Sequence, residues 1–317
     1  MLDLCRRDQW RIEDLDWSVR PRELSREDEI AVCQYFTDMS GIELLAGALF
    51  ELQRDNARDP TLRAIFESFV VDEERHSRVA LLLAKHYDVH RYQRYELNPH
   101  LVRFRKHFVE AVRHVAPDVA NAYITTGELL LDIALLRSLD DYVDDDMSHQ
   151  AMKLINRDES RHIAIDYHMA EYYGSREYAD WLAQQPKKSV IEEARAAAAV
   201  VGFISHAQPF FRDVFFRPMD LVDPTGKRLI EAFRRIQLLG KKEGTGGVRP
   251  FARFLRTLQD VFNHPVGGRV FGSAISRVMG VDARVIRRLY DDADVQRVQR
   301  MSYDALAQEA LDAKASN

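Results

Sequence analysis

The pattern Asp-Glu-x-Arg-His occurs twice in this chain, each time inside an apolar run. The first run is FVVDEERHSRVALLLAKHY, from Phe69 to Tyr87, and the second is INRDESRHIAIDYHMAEYY, from Ile155 to Tyr173. A helix that buries such a run must bury the charges within it. A buried ionised carboxylate is costly unless it is paired or holds a metal. With 11 His among 317 residues, chance supplies Glu-x-x-His roughly once. It appears twice, as Glu73/His76 and Glu159/His162, and each copy has Asp before the Glu and Arg before the His. On a helix, residues i and i+3 share a face, so each Glu and His can grip one ion together.

Helical periodicity is widespread and strand alternation is absent, which predicts an all-α protein. Residues 1–25 read as an irregular N-terminal arm. A first helix runs from about Arg26 to Asp55, and Asp59 with Pro60 opens a second that reaches about His86. A connection over 88–115 holds a helical piece near Val102–His114. Ala116–Asp118 opens a third long helix, the break at Asp140–Met147 ends it, and a fourth spans about Ser148–Tyr173. Beyond Gly174, helices are expected around Ser189–His206, Gly226–Leu239, Phe251–Phe262 and Ala283–Ala313. Gly240–Pro250 reads as a loop. Its glycines do not make a phosphate loop, because Lys does not follow the last Gly and no strand precedes it. The expected organisation is the arm (1–25), a four-helix bundle (26–173) and a helical C-terminal extension packed on it (174–317).

The paired motifs predict their own partners. Glu73 is flanked at helical spacing by Phe66, Phe69, Val70, Ala80 and Leu83, and Glu159 and His162 by Met152, Ile155, Ile163 and Met169. Both motifs therefore lie on buried faces. In an antiparallel hairpin, residues equidistant from the turn sit at one height. The first turn is centred near Arg58, so the partner of Glu73 belongs at position 43, which is Glu. The second is centred between Val143 and Asp144, and mirroring Glu159 lands on Glu128. Both partners also lie on apolar faces, with Phe36, Met39, Ala46 and Phe50 around Glu43 and Ile124, Leu131 and Leu135 around Glu128. Glu43 and Glu128 are 85 residues apart, whereas Glu73/Glu159 and His76/His162 are both 86 apart. The chain reads as a duplicated helical hairpin with one residue inserted in a loop. Four Glu and two His at one level of a bundle suit two iron or manganese ions bridged by carboxylates. The competing reading is two buried ion-pair clusters. Zinc suits this set less well, because it prefers four ligands and more His or Cys.

Composition sets wider bounds. Net charge is −5 and pI about 6.1, giving no overall bias toward nucleic acid or anionic membranes. Cys5 and Cys33 are the only cysteines, which excludes a disulfide framework and fits a reducing cytosol. No signal-peptide core is present, and the apolar run Ala196–Ser205 is too short to span a bilayer. A cytoplasmic protein is the expectation.

The order Glu … Glu-x-x-His … Glu … Glu-x-x-His resembles the ferritin-like di-iron carboxylate superfamily over about residues 26–173. The fuller Asp-Glu-x-Arg-His repeat resembles its oxygen-activating branch, which includes multicomponent monooxygenases, acyl-carrier-protein desaturases, arylamine N-oxygenases and ribonucleotide reductase small subunits. The resemblance implies a ferritin-like four-helix bundle in which Glu43, Glu73, His76, Glu128, Glu159 and His162 are metal ligands. It implies that Asp72 and Asp158 accept hydrogen bonds from the ligand histidines, with Arg75 and Arg161 paired to those aspartates. It further implies two iron ions (Fe/Fe, with Mn/Fe as the other option), O2 as co-substrate, a small organic substrate, and a ferredoxin or reductase as electron donor. A homodimer is expected, and neither nucleic acid nor membrane as a partner. The implied activity is hydroxylation, N-oxygenation or desaturation. The alternative is an iron-handling or peroxide-detoxifying protein, or a helical protein with no metal.

Three positions depart from particular members. Ala80 stands where reductase small subunits carry a radical-forming Tyr, Ile155 where arylamine N-oxygenases carry a third His, and Asp132 where hydrocarbon monooxygenases carry Thr. Asp132 and Asp166 fall on the ligand faces, one turn beyond Glu128 and two turns beyond Glu159. They are candidates for extra ligands, proton relays or salt-bridge partners. Gly47 is expected to leave room beside the site or to permit close helix packing. Ala207–Met219, rich in Phe, is expected to line a pocket or to belong to plain core or a dimer interface.

Overall fold

The computed structural model describes residues 1–114, 116–186, 188–242, 260, 264, 266–268 and 283–316. Among them every regular element is helical: α1 (Leu2–Arg7), α2 (Arg26–Asn56), α3 (Pro60–Tyr87), α4 (Pro99–Val112), α5 (Pro117–Leu129), α6 (Arg137–Val143), α7 (Asp146–Gly174), α8 (Arg176–Ala183), α9 (Val190–Phe210), α10 (Arg217–Val222), α11 (Lys227–Leu239), α12 (Ala283–Ile286), α13 (Asp292–Arg300) and α14 (Tyr303–Ser316). A 3-10 turn spans Ile12–Asp14, and π-helical turns join α5 to α6 (Leu130–Leu136) and α9 to α10 (Phe211–Phe216).

The long helices begin where capping chemistry tells them to. Ser25 accepts from the Asp28 N–H at 3.2 Å. Asp59 accepts from Thr61 and Leu62 at 2.7 and 2.9 Å, with Pro60 in the first turn of α3. Asp145 caps α7 through the Ser148 N–H at 2.9 Å. Each cap satisfies donors that the helix itself leaves orphaned and is worth about 1 kcal/mol. Asp144, with φ +49, makes the left-handed turn that lets α6 end and α7 reverse direction.

α2 packs along α3, α5 along α7, α2 against α5 and α3 against α7, so these four helices enclose one core. Two apolar clusters fill it, one around Phe36, Met39, Leu83, Leu129 and Met152, the other around Phe50, Phe66, Phe69, Ile124 and Met169. α4 and α9 pack on each other and α4 rests on α2; α11 and α14 lie against the π segment after α5, and α14 also against α7. The segment Pro117–Val143 is long and apolar enough to cross a membrane, yet 72% of its most apolar window is buried inside the protein. Its hydropathy reflects a core position.

Three expectations need correction. The N-terminal arm is not irregular throughout: α1 packs on α3, and Cys5, Trp10 and Leu15 are buried. The single helix expected over Ala283–Ala313 is three pieces, α12 to α14. The helix expected to end at His206 continues through Pro209 into the second π segment. Within Ala207–Met219, Phe210, Val214, Phe215 and Met219 are buried in the two clusters, while Arg212 and Arg217 face solvent. The helix expected at Phe251–Phe262 and most of the loop Gly240–Pro250 lie outside the described residues.

Candidate metal centre

All six expected ligands meet in the core. Glu43 comes from α2, Glu73 and His76 from α3, Glu128 from the end of α5, and Glu159 and His162 from α7. None is more than 2% exposed. Their donor atoms fall into two groups, each with all atoms within 4.8 Å of one another and each able to hold a metal ion: Glu43, Glu73, His76 and Glu159, and Glu73, Glu128, Glu159 and His162. Glu73 and Glu159 belong to both. Each group could hold an ion, and two carboxylates are common to both.

The histidines present the same nitrogen inward. His76 Nδ1 lies 2.9 Å from Glu159 Oε1 and 3.9 Å from Glu73 Oε2. His162 Nδ1 lies 2.8 Å from Glu159 Oε2, 3.2 Å from Glu73 Oε1 and 4.0 Å from Glu128 Oε2. Among the described residues, neither oxygen of Glu73 and neither His76 Nδ1 nor Glu128 Oε2 completes a hydrogen bond, despite this crowding. Buried polar atoms that converge without bonding to one another are what a multivalent cation would satisfy, and the residues present fit a pair of them.

The outward nitrogens face aspartates in a crossed arrangement. His76 Nε2 is 3.2 Å from Asp158 of the second motif. His162 Nε2 is 3.6 Å from Asp72 of the first, longer than a hydrogen bond. Arg75 and Arg161 each touch both aspartates: Arg75 bonds Asp72 and reaches Asp158 at 2.9 Å, while Arg161 reaches Asp158 at 2.7 Å and Asp72 at 3.1 Å. Both arginines are buried, at 9% and 5% exposure, so they are not surface salt bridges. The quartet of two Asp and two Arg is neutral, which lets it sit behind the histidines without changing the charge of the cluster.

Protons can offset the same crowding of negative charge. Burial and then the neighbouring carboxylates push Glu43 and Glu128 well above the usual carboxylate range. Burial opposes charge on both histidines, yet Asp158 and Glu159 at His76, and Glu159 and Asp72 at His162, hold their pKa values well above 6.5. Glu159, flanked by both, stays ionised against its burial.

Asp132 and Asp166 are fully buried but join neither group of converging atoms. Burial, only partly offset by Lys314, pushes Asp132 up to about 7. Asp166 has no hydrogen-bond partner for either oxygen among the described residues, and burial raises it well above the usual range. Gly47 faces Glu73: a Cβ there would lie 3.4 Å from the Glu73 Cβ, an ordinary contact that does not itself require glycine. Glu74, between the motif's ligand Glu and its Arg, is exposed.

Two neighbours of the cluster were not foreseen. Trp10, from the arm, donates its Nε1–H to Asp158 Oδ2 at 2.6 Å, stacks on His76 with centroids 6.4 Å apart, and lies under Arg75 at 4.8 Å. Lys314, from α14, donates to Asp132. They lie 148 and 182 residues from Asp158 and Asp132 respectively, and neither belongs to a motif or repeat that would have flagged it. Two clefts lie away from the cluster: a charged one of about 670 Å³ around Arg234, Arg235, Arg297 and Glu309, and an aromatic one of about 320 Å³ around Tyr172, Tyr173, Tyr178 and Trp181.

No family model, no curated protein and no solved structure matches this chain.

Proposed function

We propose that this protein is a non-haem di-iron oxygenase or oxidase, built on a ferritin-like four-helix bundle, that uses O2 to oxidise a small organic substrate. The observation that carries this reading is the sharing of Glu73 and Glu159 between two buried four-residue groups. When bound, the iron pair would supply O2 activation and the redox equivalents for the oxidation. Glu43 with His76 would hold one ion and Glu128 with His162 the other, and Glu73 and Glu159, common to both groups, would contribute to each. Asp158 orients His76 so that Nδ1 points inward, and the neutral Asp-Arg quartet keeps that orientation without adding charge. Phe69 and Phe50 pack on the His162 ring, with centroids 4.2 and 5.0 Å away, and cover that part of the ring with apolar surface. The electrons are assigned to a ferredoxin or reductase.

The test is metal analysis of protein loaded with Fe(II), joined to optical spectra recorded as O2 is admitted. We expect two iron ions per chain, an absorption change on oxidation, and loss of both in Glu73→Ala/Glu159→Ala. A wild-type chain that takes up no iron would sink the proposal. Iron that accumulates beyond two per chain over repeated oxidation cycles would instead assign an iron-handling role.

A further inference from the structure

Lys314 is the one lysine of the last helix and is only 9% exposed. Its ammonium donates to the Asn156 carbonyl at 2.7 Å, to Asp132 Oδ2 at 3.2 Å and to Ser160 Oγ at 3.3 Å. Three donors meet three acceptors, so the ammonium is fully satisfied. Two of those acceptors lie on α7 and hold the lysine in place independently of Asp132. Ser160 in turn donates to Asn156 O at 2.7 Å, which fixes its own hydroxyl.

Asp132 is one turn beyond Glu128 and 0% exposed, and Glu159 and His162 are among the charges that act on it. A carboxylate at that place is a natural further ligand for the ion beside Glu128. Yet its oxygens join neither converging group. One oxygen is bound to Lys314, and Oδ1 has no partner among the described residues. The π-helical segment that begins two residues earlier interrupts the regular helix here, and such turns concentrate at functional sites.

We infer that Lys314 withholds Asp132 from the metal centre, leaving a coordination position open for a small exogenous ligand on the Glu128/His162 side. This rests on the metal reading proposed above. The ammonium competes with a metal ion for the same carboxylate. Without it, Asp132 is a buried carboxyl with neither oxygen satisfied, and the nearest multivalent cation becomes its partner. Lys314 is thus a positioning residue that acts through Asp132, and the last helix belongs to the site.

The experiment uses the full chain loaded with Co(II), whose visible spectrum reports coordination, and azide as the exogenous ligand. Wild type is expected to bind Co(II) and to change its spectrum with azide. Lys314→Met should bind Co(II) about tenfold more tightly, the scale on which groups behind a ligand tune affinity, and should lose the azide response. Lys314→Arg should keep both wild-type properties, and Lys314→Met/Asp132→Asn should recover the azide response. An unchanged azide response in Lys314→Met, or a double variant that stays closed, overturns the inference and leaves the metal reading standing. Should Lys314→Met not fold, Asp132→Asn alone decides: wild-type Co(II) affinity supports withholding, and a tenfold loss shows that Asp132 is already a ligand. A wild-type protein that binds no Co(II) overturns the metal reading itself.

Discussion

The two halves of the candidate centre have matching ligands and different surroundings. Glu43 and His76 lie beside uninterrupted helices, with Gly47 facing Glu73 and Trp10 stacked on the histidine. Glu128 and His162 lie beside a π-helical turn, two phenyl rings and the Asp132–Lys314 pair. The duplicated hairpins supply what is alike. The N-terminal arm and the last helix add Trp10 on one side and Lys314 on the other, while the π turn, Asp132 and the two phenyl rings lie within the hairpins themselves. Two ions bound by such a site would have similar ligands but different neighbours.

The largest expected effect separates shared from unshared carboxylates. Glu73→Ala or Glu159→Ala should remove both ions, because each residue belongs to both groups. Glu43→Ala and Glu128→Ala should each remove one ion and leave the other half occupied. Iron counted per chain checks this, and equal losses from all four variants would break the two-site description.

A pH series sharpens the comparison between the metal-free and loaded states. Glu43 and Glu128 have folded pKa values raised above the ordinary 4.5, and His76 and His162 above 6.5. Raised groups stabilise the fold fully below their unfolded pKa, and that stability is lost as pH rises through the folded value. Each proton held by the native state but not by the unfolded chain tilts stability by about 1.4 kcal/mol per pH unit. The metal-free protein should therefore melt at lower temperature at about pH 8 than at about pH 5. Metal displaces those protons, so its stabilising effect should grow over the same range. Calorimetry with and without Mn(II) checks the sign, and a metal-free Tm that rises with pH would contradict it.

Much of the site was legible because its geometry is written in short-range spacing. Glu-x-x-His on one helical face, and mirroring across Arg58 and across the Val143/Asp144 turn, needed only helical periodicity and antiparallel packing. The crossed brace was not legible: nothing in the spacing says that Asp158 serves His76 and Asp72 faces His162. The π turn after Glu128 was hidden too, because Leu130–Leu136 is as apolar as any core helix. Trp10 and Lys314 were missed for the plainest reason. Each reaches the cluster through tertiary packing between segments far apart in the chain, and each stands in a stretch whose local pattern suggests an arm or a surface helix.

The smallest expected effect tests whether the arm belongs to one half. Trp10 Nε1–H donates to Asp158 Oδ2, the oxygen that also faces His76 Nε2. Trp10→Phe keeps an aromatic ring over Arg75 but removes that hydrogen bond to a charged, buried carboxylate. The loss is expected to cost roughly 1.5–3 kcal/mol in folding stability, the usual worth of a hydrogen bond to a charged group. Because Asp158 orients His76 and Asp72 faces His162, the metal held by Glu43 and His76 should weaken while the other ion is retained. Urea unfolding gives the first number, and a two-step metal titration gives the second. Equal weakening of both ions would show that the Asp-Arg quartet transmits the change across the centre, and the halves would then respond as one unit despite their different surroundings.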